Sequence, residues 1–138
     1  MKQSAKLGSR LPKHYKLEIA TLNTAWHDKD TVLLHACFQI LVDFIEKEKP
    51  GDWSHNVEHR KIWKELQSLY TWWKEKRPSR RDIHWEKYME IFGDTGIKDR
   101  QNQLSTLLTK SAKLEAKWEA EDQKNLHRLI EARRFLWT

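Results

Sequence analysis

The sequence is short of nearly everything that would bend, staple or span. It has one cysteine, Cys37, in 138 residues. A single thiol excludes an internal disulfide and a cysteine-based zinc finger, and it fits a reducing compartment. Four glycines and three prolines are few. A sandwich or barrel needs turn residues every ~8–12 positions, so that count argues against an all-β fold. No apolar run reaches the ~18–20 residues that span a bilayer. The first 20 residues are basic but carry no continuous apolar segment, so they do not read as a signal peptide. No Ser-His-Asp set, phosphate-binding loop or glycine-rich dinucleotide turn is visible.

Against these absences stand 33% charged residues, 38% hydrophobic residues and eight tryptophans. The aromatics argue against disorder. The composition predicts an intracellular, all-α, compact helical bundle of about four helices, with no cofactor and no membrane partner. Length allows one domain. We divide it into a basic N-terminal arm, residues 1–29, and a helical domain, residues 30–138.

The net charge of +6 is uneven. Lys2, Lys6, Arg10, Lys13 and Lys16 supply five of these charges, with no acid among residues 1–16. A second basic cluster is Lys74, Lys76, Arg77, Arg80 and Arg81, opposed only by Glu75. A third is Arg128, Arg133 and Arg134. The acids concentrate at Glu115, Glu119, Glu121 and Asp122. A basic arm on a neutral body attracts nucleic acid or an acidic partner; the plainer reading is a solvated arm.

Hydrophobic spacing places the helices. Tyr15–Trp26 is ambiguous between strand and helix and is expected to pack through Trp26. Residues 30–49 are apolar on nearly every side, as a central core helix is. Asp30 is the expected N-cap, and Pro50-Gly51 the stop. A second helix runs from about Ser54 to Lys76, with Ile62, Trp63, Leu66, Leu69, Tyr70 and Trp73 on one stripe. Pro78 ends it. Asp82 caps a short third helix through Phe92, whose apolar residues are Ile83, Trp85, Tyr88, Met89 and Phe92. Gly93–Gly96 is a turn. From about Asp99 to Leu136 nothing interrupts. One helix of ~38 residues would reach ~57 Å, against a radius of gyration near ~14 Å for such a domain. A break near residues 120–124, within the polar stretch Glu119–Asn125, a bend, or a partner covering the protruding end is therefore expected. An unbroken helix would drive a homodimer through its exposed stripe.

Several groups could carry chemistry. His55 and His59 lie four apart on one helical face, a zinc-chelating spacing. The metalloprotease pattern has Glu directly after the first His, where Asn56 stands here, and no third ligand is evident. These two are the weak metal candidates, beside a plain capping role. Glu115, Glu119, Glu121 and Asp122, the first two and the last sharing a helical face, could offer oxygens to Mg²⁺ in a nuclease-like site, but Lys113, Lys117 and Lys124 interleave with them, as on a solvated helix. His35 reads as a hydrogen-bonded core histidine. Cys37, two positions away, does not face it and reads as a small buried residue.

Trp72 and Trp73 beside Lys74, Lys76, Arg77, Arg80 and Arg81 could stack bases and hold phosphates. The plain alternative is core tryptophans, with cations complementing a helix C-terminus. Eight tryptophans are more than a domain of this size buries fully, and exposed ones concentrate at interfaces. Trp118 and Trp137 are the candidates for a partner or dimer surface. No catalytic residue is identified.

Three long strings carry a resemblance: HACFQILVDFIEKEKP (His35–Pro50), PGDWSHNVEHRKIWKELQSLYTWWKEKRPSR (Pro50–Arg80) and EDQKNLHRLIEARRFLWT (Glu121–Thr138). They resemble small hypothetical proteins of tailed bacteriophages, with the pattern HAxFxLLVxFVE, LYxWW…RPxR and RLxxxRxxLWT. The strings cover just under half of the chain. The chain departs from the pattern at Val57-Glu58-His59, where Pro-Glu-His is expected. The resemblance implies a viral protein in the cytoplasm of an infected bacterium, and it transfers no activity. The expected function is a non-enzymatic interaction protein that binds a host or phage macromolecule and modulates a host process or a defence system. The alternative is a nucleic-acid-binding accessory; a metal-dependent nuclease ranks below both.

Overall fold

The computed structural model describes residues 14–48 and 56–136. Those residues hold four α-helices and no strand, which establishes the all-α class for them. Helix α1 spans Lys29–Asp43 and α2 spans Val57–Thr71. Helix α3 spans Ile83–Phe92 and α4 spans Arg100–Glu131. None is long and apolar enough to cross a membrane.

Local chemistry fixes the boundaries. Helix α1 starts one residue earlier than Asp30. Its N-cap is Asp28, while the Asp30 carboxylate accepts from the Thr31 amide at 2.9 Å. The Asn56 side chain caps α2 by accepting from the Glu58 and His59 amides. Asp82 caps α3 by accepting from the Trp85 amide at 2.9 Å. The same Asp82 accepts from the Ser111 hydroxyl at 2.5 Å, which ties the start of α3 to the middle of α4. At the other end, Arg100 donates to the Phe92 carbonyl at 2.7 Å and to the Ile91 carbonyl at 3.3 Å. The last carbonyls of α3 are thus satisfied by a cation from α4.

Both α1 and α2 end in a π-helical turn, Phe44–Glu48 and Trp72–Lys76. The wider π turn takes more residues to complete, so successive side chains leave at a smaller angle than in an α-helix. Trp72 and Trp73, neighbours in sequence, are both buried there. Phe38 of α1 stacks on Trp73, with ring centres 4.7 Å apart, and sits tilted against Trp72 at 5.3 Å. Leu41, Leu66 and Leu69 complete the centre, and Leu129 and Ala132 close it from the end of α4. Helix α1 is not covered all round: Leu33 remains 59% exposed.

Helix α4 is continuous through residues 119–125, contrary to the break expected there. Its 32 residues reach ~48 Å. Its N-terminal half packs on α3 and its C-terminal half on α1 and α2. The apolar stripe expected to need a partner is therefore covered within the chain. Leu104 and Leu129 are buried, and only Leu108 and Ile130 remain largely open.

Residues 14–28 are not helical and lie on α1. They do not pack through Trp26, which is 83% exposed. Polar contacts hold them instead. The Tyr15 hydroxyl donates to Asp43, and the Ala20 amide donates to Gln39 Oε1 at 3.0 Å. Gln39 in turn donates to Asp43 at 2.9 Å. Burial alone would raise the Asp43 pKa; the bonds from Tyr15, Gln39 and Lys47 outweigh it and hold the carboxyl below its ordinary value.

Candidate interaction surface

The structure turns much of the expected basic–aromatic surface inward. Arg77 grips Asp122 through two hydrogen bonds, Nε to Oδ1 and Nη2 to Oδ2, each 3.0 Å. Arg80 donates to Glu121 at 2.7 Å, lies 2.8 Å from Asp122, and reaches the Trp118 carbonyl at 3.3 Å. The Trp72 indole donates to the same Glu121 oxygen at 2.9 Å. The Arg80 guanidinium lies between the rings of Trp72 and Trp118, 5.7 and 5.6 Å from their centres. Arg77 covers Trp73 at 4.9 Å. Trp72, Arg77, Arg80 and Trp118 therefore form an internal clamp between α2 and α4, and they are not free for a partner in this conformation.

The clamp also accounts for the acidic patch. Glu121 bonds to Arg80 and Trp72, which lowers its pKa. Burial opposes ionisation of Asp122, but the bonds from Arg77 and Arg80 overcome it and lower its pKa too. Both carboxylates are occupied by cations, while Glu115 and Glu119 point to solvent. No group of three or more His, Cys, Asp or Glu side chains placed to hold a metal occurs among the described residues.

The other expected residues are scattered. Lys74 pairs with Glu46 at 3.4 Å and Arg81 with Glu86 at 2.6 Å. Lys76 is exposed. His59 meets the ring of Phe135 edge-on at 5.9 Å. His55 and Trp137 lie outside the described residues, as does the arm up to Lys13. His35 is half-buried, 2.6 Å from the Thr21 hydroxyl and edge-on to Trp73 at 4.8 Å. Burial first, and the charge of Arg77 second, lower its pKa. Burial raises that of Cys37.

What the sequence did not single out as a surface is α3. Trp85 stacks on Tyr88 at 5.1 Å and 11°, and Tyr88 on Phe92 at 5.8 Å and 21°. The Arg100 guanidinium extends the column 5.4 Å beyond Phe92. Only Ile91 of this helix is buried. Ile83 is 57% exposed, Trp85 46%, Met89 51% and Phe92 53%. Trp85, Met89 and Phe92 lie four and three positions apart, one helical face. That spacing was readable, but it reads equally as a core stripe. Placement on α4 decides which face is covered. Around the column, Arg81 pairs with Glu86 and Lys87 with Glu90 at 3.4 Å, giving a charged rim that is largely self-neutralised.

Neither a family model, nor a curated protein, nor a solved structure matches the chain.

Proposed function

We propose that this chain is a non-enzymatic interaction protein of phage origin, and that the exposed face of α3 binds a host or phage protein. The observation that supports this most is the stacked Trp85–Tyr88–Phe92 column, flanked by Met89. Large apolar side chains gathered on one exposed helix face carry a solvation cost that a partner removes. The column is also ordered in advance. Its rings hold each other, Asp82 and Arg100 fix both ends of the helix, and docking immobilises few further rotamers. A partner with an apolar groove suits it, because helix-in-groove recognition reads anchors at this spacing. Modulation of a host process or a defence system is the role that the phage resemblance suggests for such a protein.

Affinity capture from bacterial lysate tests the reading, with half the lysate treated with nuclease. The wild-type chain should retain the same protein in both halves. The Trp85→Ala, Met89→Ala, Phe92→Ala variant should lose it. Retention by the triple variant at wild-type level would overturn the assignment to α3.

A further inference from the structure

Helix α4 carries a second, chemically different face. Lys110, Lys113, Lys117 and Lys124 follow one another at spacings of three, four and seven. At ~100° per residue they fall within an arc of about 60° and extend ~21 Å along the axis. In sequence they interleave with acids, which reads as alternating charge. On the helix they do not. Glu115 and Glu119 are turned ~150° or more from the centre of the lysine arc. Glu121 and Asp122 are held by Arg80 and Arg77. All four lysines are exposed, and none forms an ion pair with a described residue. Several other cations have found an acid, among them Lys47, Lys74, Arg77, Arg80, Arg81, Lys87, Arg128 and Arg134.

We infer that this lysine stripe binds the phosphate backbone of duplex nucleic acid. The inference does not depend on the role given to α3. A linear, unpaired row of cations on one unbroken helix complements a linear polyanion. Duplex DNA carries one charge per ~1.7 Å of axis with both strands counted, so the ~21 Å alongside the stripe holds about twelve phosphates, more than enough for four lysines on one side. Thr106 lies within the stripe and Ala120 borders it, and their small side chains let a backbone approach closely. No large apolar residue lies in the arc. That disfavours a membrane, which would need Trp, Phe or Leu beside the cations, and an acidic protein, which would need an apolar anchor. It also disfavours single strands, whose bases stack on exposed aromatics. Contacts of this kind position without reading sequence.

Fluorescence anisotropy with a labelled 20-base-pair DNA duplex tests this between 50 and 200 mM salt. Four phosphate contacts give a slope of log affinity against log salt near −3.6, roughly a 10²-fold loss over that range. Each Lys→Gln change in the stripe should flatten the slope by ~0.9. The quadruple variant K110Q/K113Q/K117Q/K124Q should lose the stripe's share entirely. A charge-matched control, K29Q/K61Q/K64Q/R133Q, should keep the wild-type slope. Three results would each overturn the inference: no binding at 50 mM salt, an unchanged slope in the quadruple variant, or an equal loss in the control.

Discussion

Arg77 and Asp122 are 45 residues apart in sequence and meet through two parallel hydrogen bonds of 3.0 Å. Their contact explains why α4 runs unbroken through its most polar stretch. The helix is not held there by apolar packing. It is held by Asp122 and Glu121, which face the cations that follow the π turn of α2. The bond geometry is the fork-to-carboxylate arrangement that makes arginine pairs strong and directional.

Removing one partner of this pair should be costly. Both side chains are mostly but not fully covered, at 23% and 18% exposure. We expect Arg77→Ala or Asp122→Ala to destabilise by ~2 kcal/mol, below the cost of breaking a fully buried pair because solvent screens part of the interaction. Urea titration of the two single variants and the double should show a coupling of about 1 kcal/mol or more. Strict additivity would mean that the pair does not fasten α4.

The clamp should also set the acid limb of stability. Folding lowers the pKa of Asp122 and Glu121, so the folded state binds protons less readily than the unfolded chain. The stabilisation they supply is complete above the ordinary carboxylate values of ~3.9 and ~4.3, and is lost as pH falls through the lower folded values. Chemical denaturation at stepped pH should show that loss, and Arg77→Gln with Arg80→Gln should shrink it.

His35 gives a separate step at higher pH. Its folded pKa is lowered, so protonation favours the unfolded chain. Stability should decline as pH drops below ~6.5, the value of a free imidazole, until the lower folded pKa is passed. His35→Gln should remove this step and leave the carboxylate limb in place. A step that persists in the variant would assign it to another histidine.

Continuity of α4 is tested at Ala120, which lies inside the expected break. Proline there removes a backbone bond and clashes with the preceding turn, at ~3 kcal/mol or more. Far-UV circular dichroism and urea midpoints should show lost helix and lost stability for Ala120→Pro. Wild-type stability would instead indicate a natural break at that position.

These tests mark where the sequence was readable. Helix α2 and the cap at Asp82 follow directly from spacing and side-chain chemistry, because both are local. So does the burial of Trp73. The fate of residues 119–125 was not local: nothing near Glu121 announces that Arg80 and Trp72 will bond to it. The same holds for α3. Its apolar residues were evident, yet whether Trp85 faces the core or the solvent depends on how the helix lies on α4, and contacts at Asp82 and Arg100 fix that. Trp26 shows the reverse error, since a large ring on a short segment promises packing that the polar contacts of Tyr15 and Ala20 supply instead.

The most direct test of the central claim is site-specific photo-crosslinking. A photoreactive amino acid at Met89, on the open face of α3, is compared with the same group at Lys64, exposed on α2. Both variants are expressed in bacteria and irradiated. The account predicts one discrete protein adduct from position 89, absent from position 64 and absent when Trp85 and Phe92 are also changed to Ala. No adduct from position 89, or the same adduct from both positions, would contradict it.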